Sequence, residues 1–262
     1  QIWNVKKKGF MALFTKYRNG NRVIGFNVSK DGIHWDEWKV IAYIEKGHYC
    51  ISGENNGKIS VAFNYHPDPK GLNWRTNLYY LETTDFGKSW QTASGLNVQL
   101  PLTIADNPAL VKDFEAEGLN CYMKDISFDE KGNPVVLVLS SKGYEAGPKN
   151  DPRTWIIFYY KNNRWNNHTI TTSDNNYDMG SLYIETKGEW RIIAPTGQGP
   201  QQYNPGGEVV LWKSNDNGTT WHMEKQLTRN SEKNHTYVRR PVNAHPEFYG
   251  LWADGHGRKP ST

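Results

Sequence analysis

One polar turn recurs along the sequence and constrains the fold more than any other feature. Residues 83–90 (TTDFGKSW) and 214–221 (SNDNGTTW) share the pattern S/T-x-D-x-G-x-S/T-W, and residues 29–35 (SKDGIHW) are a variant one residue shorter. In this pattern Asp accepts hydrogen bonds from nearby backbone N–H groups, Gly takes a positive φ, and Trp packs under the turn. Each copy follows a stretch with strand-like alternation, so the pattern predicts a fold made of repeated antiparallel units.

The repeated turn resembles the Asp-box, or BNR repeat, which joins the third and fourth strands of β-propeller blades in sialidase-like proteins. In those proteins the turn marks the fold and takes no part in catalysis. The resemblance therefore implies an all-β chain, a β-propeller of four-stranded antiparallel blades.

The strand pattern divides the chain into about five blades, where the resembled family has seven. The predicted blades occupy residues 1–43, 48–90, 120–170 and 177–221, with two strands of a fifth at 236–253. A short helix is expected within 107–117, in the long connection after the second blade. Two strands alone leave a sheet edge unpaired. We therefore expect residues 1–262 to form a single propeller domain that is incomplete at one or both ends.

The second blade begins with a hairpin that brings two histidines together. The turn at Asn55, Asn56 and Gly57 joins two apolar strands. In an antiparallel hairpin the numbers of paired residues have a nearly constant sum, here about 112. His48 and His66 are then nearly opposite each other at the open end. The same end of each blade is expected to contribute residues to one shared mouth.

The residues predicted at this mouth suit an anion. They include His, Tyr, Lys and Arg, with few carboxylates. The formal net charge is +4, and the Lys and Arg residues are scattered, so neither composition nor pattern favours nucleic acid. No apolar run approaches the ~20 residues of a membrane span. Aromatic residues make up 13% of the chain, which suits both blade packing and sugar binding.

This composition favours one class of glycan chemistry over others. Ordinary glycoside hydrolysis needs two carboxylates across the scissile bond, and no convincing pair is predicted at the mouth. Serine hydrolase and P-loop patterns are missing, and no clear equivalent of the sialidase arginine motif is found. β-Elimination on a uronic acid fits better. Cationic or amide side chains neutralise the carboxylate, and Tyr or His moves the protons.

A second resemblance makes the predicted function and the candidate site residues more specific. His48 in GHYC, His66 after the alternating strand, and the segments YMKDISFDEKGNPV, NYDMGSLY, YNPGGEVVLW and YVRRPVNAHPEFYGLWADGHGR are similar to BNR-4 type propellers. That group includes ulvan lyases and lyases or hydrolases that act on rhamnose–glucuronate linkages. Ulvan lyases have two His, a Tyr and an Arg in that order. By this resemblance His48, His66 and Tyr122 are the catalytic candidates, with Tyr177 second to Tyr122. The Arg has no clean counterpart, and Lys142 or Arg240 is expected to stand in for it.

The sequence thus predicts a lyase that cleaves a uronic-acid-containing polysaccharide or oligosaccharide. The alternatives are a hydrolase on rhamnose–glucuronate ends and a non-catalytic glycan-binding propeller. The predicted substrate-binding residues are Asn64, Trp74, Lys124, Lys142, Tyr177 and Arg240.

No cofactor or metal is expected, because the spacing of His235, His245 and His256 fits no familiar metal motif. His245 is expected to be structural. We also expect a monomer that is secreted or periplasmic in a bacterium, with its leader removed, and that binds neither membranes nor nucleic acid.

Overall fold

The computed structural model describes residues 1–242, 248–257 and 259, so His245 lies outside the described residues. Regular structure in these residues is almost entirely β-strand. The strands form successive sheets whose members follow one another along the chain. Each strand pairs antiparallel with the next, because short turns connect them. This meander repeats from sheet to sheet and gives the predicted all-β architecture of propeller blades.

The first two sheets occupy the N-terminal part of the chain. The first sheet contains β1 (Ile2–Val5), β2 (Gly9–Arg18), β3 (Asn21–Ser29) and β4 (Lys39–Ala42). The second contains β5 (Cys50–Asn55), β6 (Lys58–Tyr65), β7 (Thr76–Thr83), β8 (Trp90–Gln91) and β9 (Asn97–Val98), with β10 (Leu110–Lys112) paired to β7.

Two further four-stranded sheets and a two-stranded sheet follow. The third sheet contains β11 (Asn120–Phe128), β12 (Pro134–Ser141), β13 (Arg153–Lys161) and β14 (Arg164–Ser173). The fourth contains β15 (Ser181–Ile184), β16 (Trp190–Gly197), β17 (Glu208–Ser214) and β18 (His222–Gln226), and the last pairs β19 (Asn234–Arg239) with β20 (Leu251–Gly255). Two short 3-10 turns lie at Pro148–Asn150 and Thr186–Gly188. The sheets match the predicted division into four blades and two strands of a fifth.

The core lies between neighbouring sheets, because the middle strands are apolar on both faces. β6 and β7 are buried along nearly their whole length. Leu13 and Phe26 of the first sheet pack with Phe63 and Leu81 of the second in one cluster. Similar clusters join the second sheet to the third and the third to the fourth. Burial of apolar area between blades is therefore the main stabilising contribution, at roughly 25 cal/mol per Å².

The expected helix within residues 107–117 is wrong, since the segment contains the strand β10. The short strand β8 pairs with β7 only at Glu82, which leaves the middle of the outer edge of β7 open. β10 fills this edge, with Leu110 opposite Tyr79. The Tyr80 N–H donates to Ala109 O at 2.9 Å. An unpaired buried edge costs more than the local helix propensity can supply, so the tertiary environment decides the conformation.

The recurring polar turns share one hydrogen-bond pattern. Asp85 Oδ1 accepts from the Ser89 N–H, and Oδ2 accepts from the Ser89 hydroxyl at 2.6 Å. Asp216 makes the equivalent bonds to Thr220, at 2.9 and 2.6 Å. These bonds outweigh the opposing effect of desolvation and lower the pKa of both carboxyls to about 2. The turns are thus held by carboxylates whose acceptors are all used locally.

The glycine of each turn is required by close packing as well as by backbone conformation. Gly218 has φ +79°, and a Cβ there would lie 2.4 Å from the Trp190 ring. Gly87 has φ +82° and approaches Phe26 equally closely.

No helix in the described residues is long and apolar enough to cross a membrane.

Candidate functional site

The register of the β5–β6 hairpin brings the two histidines to the same end, as predicted. Pairing runs from Cys50 with Phe63 to Asn55 with Lys58, so the index sum is 113. Beyond the last pair, the His66 N–H donates to Gly47 O at 2.9 Å. His48 and His66 therefore flank the open end of the hairpin. The opposite end contains the Asn55 turn.

His48 is fully buried, and both of its ring nitrogens bond to the backbone. The Ile44 N–H donates to Nε2 at 2.9 Å, so this nitrogen is unprotonated. Nδ1 then carries the proton and donates it to Asn64 O at 2.8 Å. Burial lowers the pKa of His48 to about 3. This geometry connects the end of the first sheet to β6, and it leaves no nitrogen of His48 available to a substrate.

His66 lies at the same end, but only one of its two ring nitrogens is hydrogen-bonded within the described part of the chain. Its Nδ1–H donates to Trp74 O at 3.0 Å, which leaves Nε2 unprotonated. Nε2 is buried and has no hydrogen-bond partner among the described residues. Burial is the largest cause that lowers the pKa of His66, to about 4, and the charges of Arg75 and Arg22 add to it. At neutral pH His66 is therefore a neutral imidazole with an unused lone pair.

Arg75 occupies the centre of a group of three tyrosine rings. Its guanidinium carbon lies 4.2 Å from the ring centroid of Tyr49, 4.9 Å from that of Tyr122 and 5.4 Å from that of Tyr177. One Nη2–H donates to the Tyr177 hydroxyl at 3.3 Å, whereas Nε is buried and bonds to none of the residues that the structure describes. Contact with aromatic faces fixes the guanidinium without neutralising its charge. Arg75 thus keeps a full positive charge for an anion.

We call His66, Arg75, Tyr49, Tyr122 and Tyr177 the His66 cluster. The Tyr49 ring contacts His66 edge-on, with 5.2 Å between ring centroids, and connects it to Arg75. Arg22 also stacks on Tyr49, with its guanidinium carbon 4.4 Å from the ring centroid. The members supply an imidazole, a guanidinium and three phenols. Such a set can bind a carboxylate and move protons.

The loop between β6 and β7 covers the cluster. Two of its carbonyls accept hydrogen bonds from the predicted catalytic side chains. Trp74 O accepts from His66, and Asn73 O accepts from the Tyr122 hydroxyl at 3.4 Å. Burial is the largest influence on the phenol of Tyr122 and raises its pKa, so the hydroxyl stays protonated at neutral pH. His66 and Tyr122 therefore lie beneath this loop, whereas Tyr177 is partly exposed.

Two predicted substrate-binding residues are buried and satisfied by the protein. Asn64 accepts from the Tyr49 N–H and donates to Cys121 O at 2.9 Å, so its amide joins β6 to β11. Lys124 donates to Asn176 O at 2.6 Å, and burial lowers its pKa. Burial also raises the pKa of the neighbouring Asp178 carboxyl. Their positions do not favour contact with a glycan, because both side chains stabilise the joints between sheets.

The other predicted residues are divided between two places. Trp74 is half-buried in the covering loop and stacks with Lys70, while Tyr177 is 42% exposed within the cluster. Lys142 is exposed just after β12. Arg240 is separated from them, since it lines a cavity with Asn55 and Asp129. Asn55 lies in the β5–β6 turn and Asp129 in the turn after β11, at the opposite ends of these strands from His66 and Tyr122. The prediction that Arg240 stands in for the catalytic Arg is therefore corrected.

Arg75, Tyr49 and Arg22 were missing from the predicted site. Arg75 follows Trp74 directly and precedes β7, so the sequence already places it among the loop residues of the mouth, but no role was assigned to it there. Tyr49 lies beside His48 in the sequence, and Arg22 lies near the start of β3. Neither Tyr49 nor Arg22 belongs to a sequence motif that would mark it as a site residue. They meet because the first two sheets are adjacent, with Arg22 bridged to Gly47.

The fold and its repeated sheets define this chain as a β-propeller protein. A family model described as "BNR repeat-containing family member" matches residues 9–173. The chain belongs to this BNR repeat-containing family. No curated protein matches the sequence.

Solved structures with a similar fold include two polysaccharide lyases. An ulvan lyase of polysaccharide lyase family PL25 has a TM-score of 0.76 and 17% identity, and the match covers 97% of this chain and 61% of that one. The same values hold for its complex with -[GlcA(1-4)Rha3S]-. Polysaccharide lyase Uly1 has a TM-score of 0.63 and 12% identity, covering 92% of this chain and 51% of that one. This chain thus spans less than two thirds of the length of these structures.

Proposed function

We propose that the protein is a polysaccharide lyase that cleaves a uronic-acid-containing glycan by β-elimination. The observation that supports this most is the unpartnered Nε2 of His66 beside the positively charged Arg75. A base next to a carboxylate-binding cation is what elimination at C5 of a uronate requires. The complex of the PL25 ulvan lyase with a glucuronate–rhamnose unit supports the same substrate class. A polymer of this kind fits a secreted or periplasmic protein.

In the proposed reaction Arg75 binds the uronate carboxylate and stabilises the charge that develops on it. His66 Nε2 removes the proton from C5, and the electron pair forms the C4–C5 double bond. The C4–O bond breaks, and the leaving oxygen takes the proton of the Tyr122 hydroxyl. Tyr177, with its exposed hydroxyl next to Arg75, is the second candidate for this donor. General acid–base catalysis of this kind contributes about 10²–10⁴-fold.

Substrate entry requires the covering loop to move. Asn73 is exposed and is connected to Tyr122 by one hydrogen bond of 3.4 Å. A bond of this length is weak, so a sugar ring can replace it with its own hydroxyl groups. Trp74 keeps the proton of His66 on Nδ1 as long as its carbonyl stays in place. The proposal therefore assigns the motion to the tip of the loop before Trp74.

The test is incubation with ulvan and with rhamnose–glucuronate oligosaccharides, while absorbance is followed in the unsaturated-uronate band. Elimination predicts a rise in absorbance that matches the new reducing ends. Reducing ends without absorbance would make the protein a hydrolase and contradict the proposal. Binding without any product would leave a glycan-binding propeller. The cluster argues against hydrolysis, because its members do not include the two carboxylates that this reaction uses.

A further inference from the structure

A cavity of about 260 Å³ adjoins the His66 cluster on the far side of Tyr177. Its lining includes Tyr144, Glu145, Ala146, Arg153 and Asn176, together with Tyr177 itself. Tyr144 and Tyr177 are 39% and 42% exposed, so each presents part of an aromatic ring to an incoming group. A volume of this size accommodates one sugar ring. The cavity is not used by the chemistry described above.

Two buried polar atoms in the lining have no hydrogen-bond partner in the part of the chain that the structure describes. Arg153 is completely buried, and its Nε makes no hydrogen bond. Asn176 is also buried, and its Oδ1 is unpartnered. Buried polar groups are normally satisfied, because an unsatisfied one costs about 1–3 kcal/mol. One unused donor and one unused acceptor are what the hydroxyl groups of a sugar would complete.

The charge of the cavity differs from that of the His66 cluster. Arg153 forms an ion pair with Asp151 and also donates to Glu145 O and Gly147 O at 3.0 Å. Its positive charge is therefore offset within the protein. Glu145 adds a negative charge to the lining, and hydrogen bonds from its backbone and from Asn150 lower its pKa. An anionic substituent is disfavoured here, whereas Arg75 and Arg22 favour one on the other side of Tyr177.

We infer that this cavity is a subsite for an uncharged sugar residue next to the uronate. This inference rests on the proposed function and narrows its substrate class. The preferred glycan alternates a uronate, held at Arg75, with a neutral sugar that has no sulfate group. The PL25 ulvan lyase that shares the fold binds a glucuronate linked to a sulfated rhamnose. The two proteins then differ in substrate although they share the blades.

The experiment compares native sulfated ulvan oligosaccharides with the same oligosaccharides after chemical desulfation. We expect kcat/KM to be at least 10-fold higher for the desulfated series. Glu145→Lys, on an exposed loop, should reduce this preference several-fold by improving cleavage of the sulfated series. Equal or better cleavage of sulfated substrate by the wild-type protein would overturn the inference.

A second variant tests the cavity itself. Ala146→Trp fills the cavity from an exposed position and should raise KM about 10-fold for desulfated substrates, with kcat little changed. Ala116→Trp, at an exposed alanine outside the cavity lining, is the matched control and should leave KM unchanged. An unchanged KM for Ala146→Trp would contradict the subsite.

Failure of the lyase reaction can be told apart from failure of the subsite. If no unsaturated product forms, calorimetric binding of the two oligosaccharide series to the wild-type protein replaces the kinetic measurement. Tighter binding of the desulfated series, weakened by Ala146→Trp, supports the subsite while the lyase proposal falls. Absence of both cleavage and binding overturns both.

Discussion

The aspartates of the polar turns and the His66 cluster, at opposite ends of the blades, differ in how completely their side chains are hydrogen-bonded. At the turn end, Asp85 and Asp216 use their carboxylates to accept local N–H and O–H groups. At the open end, His66 Nε2 and Arg75 Nε are buried without hydrogen-bond partners within residues 1–242, 248–257 and 259. A satisfied polar group contributes to stability, whereas an unsatisfied one costs it and is retained where a ligand completes it. The comparison distinguishes residues that stabilise the blades from residues whose unused hydrogen-bonding atoms can bind a ligand.

His48 shows that position alone does not decide this difference. It lies at the open end beside His66, yet both of its nitrogens bond to the backbone, as in the polar turns. The comparison therefore predicts a loss of activity from one histidine and a loss of stability from the other. The same substitution at both positions is the most direct test.

The largest expected effect is the loss of activity in His66→Asn. The Asn amide can still donate to Trp74 O in place of Nδ1, while the Nε2 lone pair is removed. We expect kcat to fall about 10³-fold, within the range for general acid–base groups, with little change in the midpoint of thermal unfolding. Absorbance of the unsaturated product and calorimetry measure the two effects. A variant that keeps more than a tenth of the activity would exclude His66 as the base.

Arg75→Lys is expected to have the next largest effect. Lysine keeps the charge but loses the planar fork and the stacking on Tyr49, Tyr122 and Tyr177. We expect kcat/KM to fall about 10²-fold, and Arg75→Met to lower it further. Arg22→Lys is the control, since Arg22 stacks on Tyr49 outside the cluster, and its loss should be less than 10-fold. Equal losses of kcat/KM in Arg75→Lys and Arg22→Lys would show that Arg75 has no special role in binding the carboxylate.

Local pattern was enough to predict the blades, because each blade is a meander of neighbouring strands with its own turns. The same reasoning located the open end of the β5–β6 hairpin to within one residue of register. It failed for β10, whose strand conformation depends on the open edge of β7, far away in the sequence. A segment whose structure is decided by a distant edge has no local pattern to read.

The site was harder to predict than the fold. His48 and His66 look alike in the sequence, and only Ile44 and Asn64 in the folded chain show which one is satisfied. The sequence position of Arg75 places it near the mouth, but its three tyrosine contacts are visible only in the folded chain. Partners of this kind are set by packing between blades. The strand pattern of one blade contains no information about them.

His48→Asn is expected to lower stability rather than chemistry. The amide can donate to Asn64 O but leaves the Ile44 N–H buried without an acceptor. Such a group costs about 1–3 kcal/mol, so we expect a free energy of unfolding lower by about 2 kcal/mol in denaturant titrations. Activity per folded molecule should stay within about threefold of the wild type. A loss comparable to that of His66→Asn would show that the two histidines act together.

The pH dependence of stability should reveal the same histidine. Burial lowers the pKa of His48 to about 3, below its usual 6.5, so the unfolded chain binds a proton that the folded protein does not. Stability is then complete above pH 6.5 and decreases as the pH falls below it, by about 1.4 kcal/mol per pH unit for this group. His48→Asn should reduce the slope between pH 6 and 4.5 by this amount. An unchanged slope would show that His48 is not buried as a neutral group.

The smallest expected effect belongs to the turn end, where Asp85→Ala removes one satisfied carboxylate. The lost hydrogen bonds to Ser89 and Thr83 lower the free energy of unfolding by about 1 kcal/mol, and activity should not change. The pKa of Asp85 is lowered to about 2, so its contribution is present above pH 4 and is lost as the pH falls to 2. Denaturant titrations of the variant and the wild type should therefore converge near pH 2. A difference that persists at that pH would mean that the protonated carboxyl group of Asp85 still stabilises the turn, so that its negative charge is not what matters.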